Sequence, residues 1–178
     1  MSNSKNIPVT LQGSWGGVPM LVVGDQKIYP SKTKDVYNSF WYCILDLSNP
    51  TGQPLVNVLS NDTNQPPAEV VPYLGKTGFL LCFAFVNLLT AYMPQGALYQ
   101  FLRQVGSGVI LQRAEQLVEQ IGSNVFATVS YNLAATTLDT DKPGFESLDF
   151  YHPALSPFQL MPVDVDGKVT YAPIAVGN

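Results

Sequence analysis

The stretch PQGALYQFLRQVGSGVILQRAEQLVEQIG, residues 94–122, decides the reading of the fold. Leu98, Phe101, Leu102 and Val105 recur at i, i+3, i+4 and i+7, which gives a helix one apolar stripe to turn toward a core. Pro94 suits a first helical turn, where a missing N–H costs nothing, and Gly106 supplies the stop. Ser107 then offers an N-cap to a second helix with a stripe of Ile110, Ala114, Leu117, Val118 and Ile121, ended by Gly122. Residues 94–121 therefore read as a two-helix hairpin broken at Gly106-Ser107-Gly108.

Outward from that hairpin the pattern is β on both sides. Before it, Ile7 to Tyr29 alternates apolar stretches with Gly13, Gly16, Gly17 and Gly24, and Val18–Val23 and Lys27–Tyr29 read as strands joined by Gly24-Asp25-Gln26. Phe40 to Leu47 is aromatic and β-branched and ends at the turn sequence Ser48-Asn49-Pro50-Thr51-Gly52. Val56–Leu59 is a further short strand, and the three prolines between Asn61 and Pro72 make that stretch a loop. Phe79 to Leu89 is almost continuously apolar, as a strand buried on both faces would be, and is interrupted at Asn87.

After the hairpin, Val125, Ala127, Val129, Tyr131 and Leu133 alternate with Thr128, Ser130 and Asn132, which predicts a strand with one solvated face. Asp139 to Asp149 reads as an acidic loop. Phe158–Val165 and Lys168–Ile174 flank Asp166-Gly167, the pair a type I′ hairpin turn favours. Strands, two helices, then strands predict one α+β domain over residues 1–178, with the helices packed on one face of a mostly antiparallel sheet.

Charge restricts the function classes. Charged residues make up 12% of the 178, about half of the usual ~25%. Either other subunits cover part of the surface, or the surface is neutral and rich in Gln, Asn, Ser and Thr. Nine Lys and Arg against thirteen Asp and Glu give a formal net charge of −4. The basic residues form no cluster, so the phosphate contacts that drive nucleic-acid binding are missing, as is attraction to anionic lipid. The residues Met1 to Asn6 lack an apolar signal core, so the expectation is a chain cytoplasmic as synthesised, with a non-Sec route of release open.

The chemistry-bearing residues are few. Gly75-Lys76-Thr77 ends like a phosphate-binding loop, but Val70 stands where its first glycine belongs and a strand follows instead of a helix. A hydrolase would pair the single histidine, His152, with Cys43 or Cys82, both set in apolar runs. Zinc lacks a ligand set, and no cofactor motif occurs. Asp139, Asp141, Glu146 and Asp149 are a candidate calcium set, without the EF-hand spacing. Trp15, between small residues, is a candidate ligand contact of the sugar-stacking kind, against a ring folded over the sheet edge.

Gln112, Gln116 and Gln120 repeat every fourth residue on the second helix, and Gln100 and Gln104 do so on the first. Such an amide face suits a subunit contact or water equally. The leading expectation is a non-enzymatic structural or interaction protein partnered by itself or by other protein subunits. The alternatives are a membrane-acting, toxin-like protein that releases Phe79–Tyr92 to pair with Val125–Leu133 in a bilayer, and a carbohydrate or small-ligand binding module.

Overall fold

A computed structural model describes residues 5–31, 36–121, 128–138 and 142–176. In chain order the strands and helices are β1 (Ile7–Gln12), β2 (Met20–Val23), β3 (Gln26–Ile28), β4 (Ser39–Asp46), β5 (Val56–Ser60), β6 (Phe79–Val86), β7 (Leu88–Leu89), α1 (Gly96–Gln104), α2 (Val109–Ile121), β8 (Thr128–Thr136), β9 (Phe145–Asp149), β10 (Leu155–Val165) and β11 (Lys168–Ala175). The fold is α+β and all strand pairing is antiparallel, but the strands form two sheets.

One sheet runs β11-β10-β1-β2-β3. The other runs β5-β4-β6-β8; β7 continues along β8 after the break at Asn87, and β9 lies on the far side of β8. The second sheet is the middle layer of the molecule. Toward the helices it presents Phe40, Tyr42, Phe83, Phe85 and Tyr131, packed on Leu98, Phe101, Leu102, Leu111 and Ala114. Toward the first sheet it presents Trp41, Cys43, Leu80, Cys82 and Ala84, packed on Val9, Leu11, Leu21, Phe158 and Leu160. Because strand side chains alternate between faces, β4 and β6 must be apolar at nearly every position, and they are.

Phe83 is the hub of the helix-side layer. Its ring meets Tyr42 edge-on at 5.1 Å, stacks on Phe40 at 5.7 Å and meets Phe85 edge-on at 5.8 Å, geometries that add to simple burial.

Several boundaries differ from expectation for identifiable reasons. Pro94 lies outside α1, which starts at Gly96, because the loop carbonyls of Thr63 and Asn64 take up the amides of Gln95 and Leu98 at 2.8 and 2.7 Å. Gly106 does end α1, with φ +105°, and a Cβ there would stand 2.9 Å from the Lys142 carbonyl. Ser107 does not cap α2; its hydroxyl lies 3.3 Å from that of Tyr131. On α2, Leu111 and Ala114 are the buried pair, while Leu117 is 38% exposed. Gly122, Val125 and Ala127 lie outside the described residues.

The largest correction concerns β8. Ser130 and Asn132 are completely buried rather than solvated, because the first sheet covers that face. Their polarity is satisfied inside. The Asn132 amide donates to the carbonyls of Leu11 at 3.0 Å and Ala154 at 2.8 Å, its oxygen accepts from Ser156 and Ser147, and Ser130 accepts the Ala154 amide at 2.8 Å. The predicted acidic loop is also corrected: its second half is β9, paired with β8 from Ala134↔Phe145 to Ser130↔Asp149. The C-terminal hairpin turns at Asp166 and Gly167, with φ of 53° and 79°.

Candidate functional site

β9 is an edge strand, and its two sides do different things. Successive backbone groups along a strand point to opposite sides. Gly144, just ahead of β9, donates away from β8 to the Gly106 carbonyl at 2.8 Å, and the Phe150 carbonyl, just beyond it, accepts the Trp15 indole N–H at 3.1 Å. Between them, Glu146 and Leu148 turn their backbone N–H and C=O to that same outer side, and no described residue bonds them. Such a row is a template for another strand.

Beside this edge, α2 and β9 enclose a groove of about 370 Å³ lined on the helix by Ile110, Arg113, Ala114 and Leu117 and on the strand side by Glu146 to Leu148 and Phe150. Most of the lining is apolar; of its polar residues, Arg113 has no hydrogen-bond or ion-pair partner among the described residues.

Glu146 fixes the width of the groove. Its Oε1 accepts the Gly108 amide at 2.8 Å and the Ile110 amide at 3.3 Å, and its Oε2 accepts the Tyr131 hydroxyl at 2.8 Å. The carboxylate thus serves as the N-terminal cap of α2, where the helix dipole favours negative charge. Burial, reinforced by the Glu146 charge, holds the Tyr131 hydroxyl well above its ordinary value, so it stays a protonated donor. Arg103 closes the junction through the carbonyls of Ser107 and Gly108. The cap comes from 38 residues away, and no local signal in the sequence announces it. The helix-facing set Glu146, Leu148 and Phe150 carries a period-two signal, obscured by the acidic residues around it.

The candidates from sequence are placed as follows. Asp139 and Asp141 lie outside the described residues. Glu146 and Asp149 do not share a site: Glu146 caps α2, whereas Asp149 accepts the amides of Tyr151 and His152 at 2.7 and 2.8 Å. Those backbone bonds, the Tyr151 amide first, hold the Asp149 carboxyl below its ordinary value. No group of three or more His, Cys, Asp or Glu converges among the described residues.

Cys43 and Cys82 stand opposite each other in the β4–β6 register as free thiols buried between the sheets. Burial pushes the Cys43 thiol up to about 12 and holds the Cys82 thiol well above its ordinary value. His152, with its side chain 78% exposed beside Asp149, does not share their environment. A nucleophilic thiolate activated by that imidazole is therefore not assembled.

Gly75-Lys76-Thr77 is a turn before β6, tied to Thr137. Gln100, Gln104, Gln112, Gln116 and Gln120 are all exposed on the outer helix faces. Trp41 is core, its indole donating to Asn57 at 2.8 Å. Trp15 is 44% exposed. The Phe79–Tyr92 run holds β6, which lies between β4 and β8 with both faces covered. No described helix is long and apolar enough to cross a membrane.

No protein-family model and no curated protein matches this chain. The functional reading therefore rests on the geometry of its surfaces.

Proposed function

We infer that this chain is a non-enzymatic interaction protein that self-associates, pairing the outer edge of β9 with another extended strand from a second copy. The observation that carries this reading is the row of backbone groups at Glu146 and Leu148 that no described residue bonds, beside an apolar groove. Ladder bonds to that row would supply affinity, and the groove would select the apolar side chains entering it. Two copies related by a twofold axis can pair their β9 edges antiparallel, which joins the two middle sheets into one and removes both exposed edges. The low charge content and the exposed glutamine faces of α1 and α2 fit a molecule with much of its surface against other subunits.

The test is size-exclusion chromatography with light scattering over a wide concentration range, on the wild type and on Leu148→Pro. Proline at 148 removes an outward-facing N–H while leaving the β8–β9 bonds in place. The expected result is a defined oligomer that falls to monomer mass in the variant, which still unfolds cooperatively at a midpoint lowered by the lost Leu148 packing. A wild-type monomer at every concentration would overturn the reading.

A further inference from the structure

We propose that the loop end of the sandwich around Trp15 and Tyr37 is a binding site for a neutral oligosaccharide. This is a separate site from the β9 groove, although the two share Phe150 as a neighbour.

Trp15 is exposed yet anchored. Its indole N–H donates to the Phe150 carbonyl at 3.1 Å, which fixes the ring, and the segment carrying it is pinned from below. The buried Ser14 hydroxyl lies 2.6 Å from the Gly17 carbonyl and 2.8 Å from the Asn87 Oδ1. Asn87 in turn donates to the carbonyls of Gly17 and Val36 at 3.2 and 3.3 Å, tying the tryptophan loop to the segment that carries Tyr37. Tyr37 is 66% exposed, and Tyr151, next to the residue that anchors Trp15, is 76% exposed. Three large aromatic rings are thus exposed on these linked segments, and the indole of Trp15 is held by its hydrogen bond.

Between the Trp15 and Tyr37 segments lies a cavity of about 350 Å³, lined by Gly16, Tyr37, Asn38, Asn87, Leu89 and Thr128, within the range of roughly 300–1,000 Å³ typical of small-ligand clefts. Asn38 and Asn87 both hold left-handed backbones, with φ of 50° and 48°. Two non-glycine residues in that region at one site mark a conformation imposed by its surroundings. Asn38 Oδ1 accepts the Leu89 amide at 2.9 Å, which leaves its Nδ2 donors free among the described residues. The Thr128 hydroxyl is likewise unbonded among them.

The chemistry selects the ligand. Aromatic faces match the C–H faces of pyranose rings, and free amide and hydroxyl groups match sugar hydroxyls, with each side able to donate and accept. No described residue lining the cavity is charged, which favours a neutral ligand over one whose charge would have to be desolvated.

The test is an array of neutral hexose and N-acetylhexosamine oligosaccharides, with uronic-acid oligosaccharides as the charged control. It is followed by fluorescence titration of the hits, in which Trp15 is the exposed emitter and Trp41 the buried one. Neutral oligosaccharides should bind saturably and shift the emission. Trp15→Ala and Tyr37→Ala, followed by calorimetry, should each weaken binding by about tenfold or more at unchanged thermal midpoint, a factor corresponding to about 1.4 kcal/mol. Asn38→Asp keeps the acceptor for Leu89 but loses the free donor, and should weaken binding by a similar factor. Retention of no neutral oligosaccharide, preference for the uronic acids, or wild-type binding by Trp15→Ala and Tyr37→Ala would each overturn the proposal.

Discussion

The two faces of the middle sheet are both buried, but by different means. The helix side is filled by rings, with Phe40, Tyr42, Phe83, Phe85 and Tyr131 in mutual contact. The side facing the first sheet sets one large ring, Trp41, among the smaller groups Cys43, Cys82, Ala84 and Ala134, and carries a polar cluster centred on Asn132. At this junction the Asn132 amide donates to the carbonyls of Leu11 and Ala154, the latter also accepting the Gly13 amide at 2.8 Å. Polar alternation in a strand therefore identifies a distinct face, and what lies over that face decides whether it meets water.

The sharpest way to break this contrast is to make the polar face apolar. Asn132→Leu should cost about 3 kcal/mol, since it takes a donor from the buried carbonyls of Leu11 and Ala154 and leaves the Ser156 hydroxyl without its acceptor, whereas Ile44→Val on the opposite face should cost about 1 kcal/mol as a modest loss of volume. Urea denaturation of the two variants measures the difference. Equal costs, or a stabilised Asn132→Leu, would mean that the cluster is incidental to the fold.

The next effect is at the groove. Glu146→Ala removes the α2 cap and the Tyr131 acceptor together and should cost about 2 kcal/mol. Glu146→Gln, which keeps an acceptor, should recover part of that in the same denaturation series.

The thiols sharpen the comparison without large energies. At pH 8, Cys43 and Cys82 should remain unmodified by iodoacetamide in the folded protein and both react in urea, as counted by mass spectrometry. The smallest effect is that of Asp149. Its carboxyl titrates below its ordinary value, so its contribution is present above pH about 4 and lost as pH falls through the folded value. Denaturation at pH 6 and pH 3 should show a slightly smaller acid loss in Asp149→Asn than in the wild type.

Much of this architecture is legible in the sequence where neighbours in the chain determine it. The stripe Leu98, Phe101, Leu102 and Val105, the run Phe40–Leu47 and the Asp166-Gly167 turn each mark their element because periodicity and turn chemistry are local. The two-sheet layering is not legible, since a doubly buried strand such as β6 looks the same whether a sheet or a helix covers it. β9 was hidden for a related reason. Its acidic residues resemble a loop until Glu146 is seen to cap a helix 38 residues away. The groove follows from that same long-range contact, and so does the open row of amides beside it.

Residue-resolved amide hydrogen exchange along β9 tests the docking edge most directly. In dilute solution the amides of Glu146 and Leu148 should exchange quickly while those of Ser147 and Asp149, turned toward β8, exchange slowly. At concentrations where the oligomer forms, all four should be slow. Glu146 and Leu148 amides already protected in the dilute monomer, or still fast in the concentrated sample, would contradict the account.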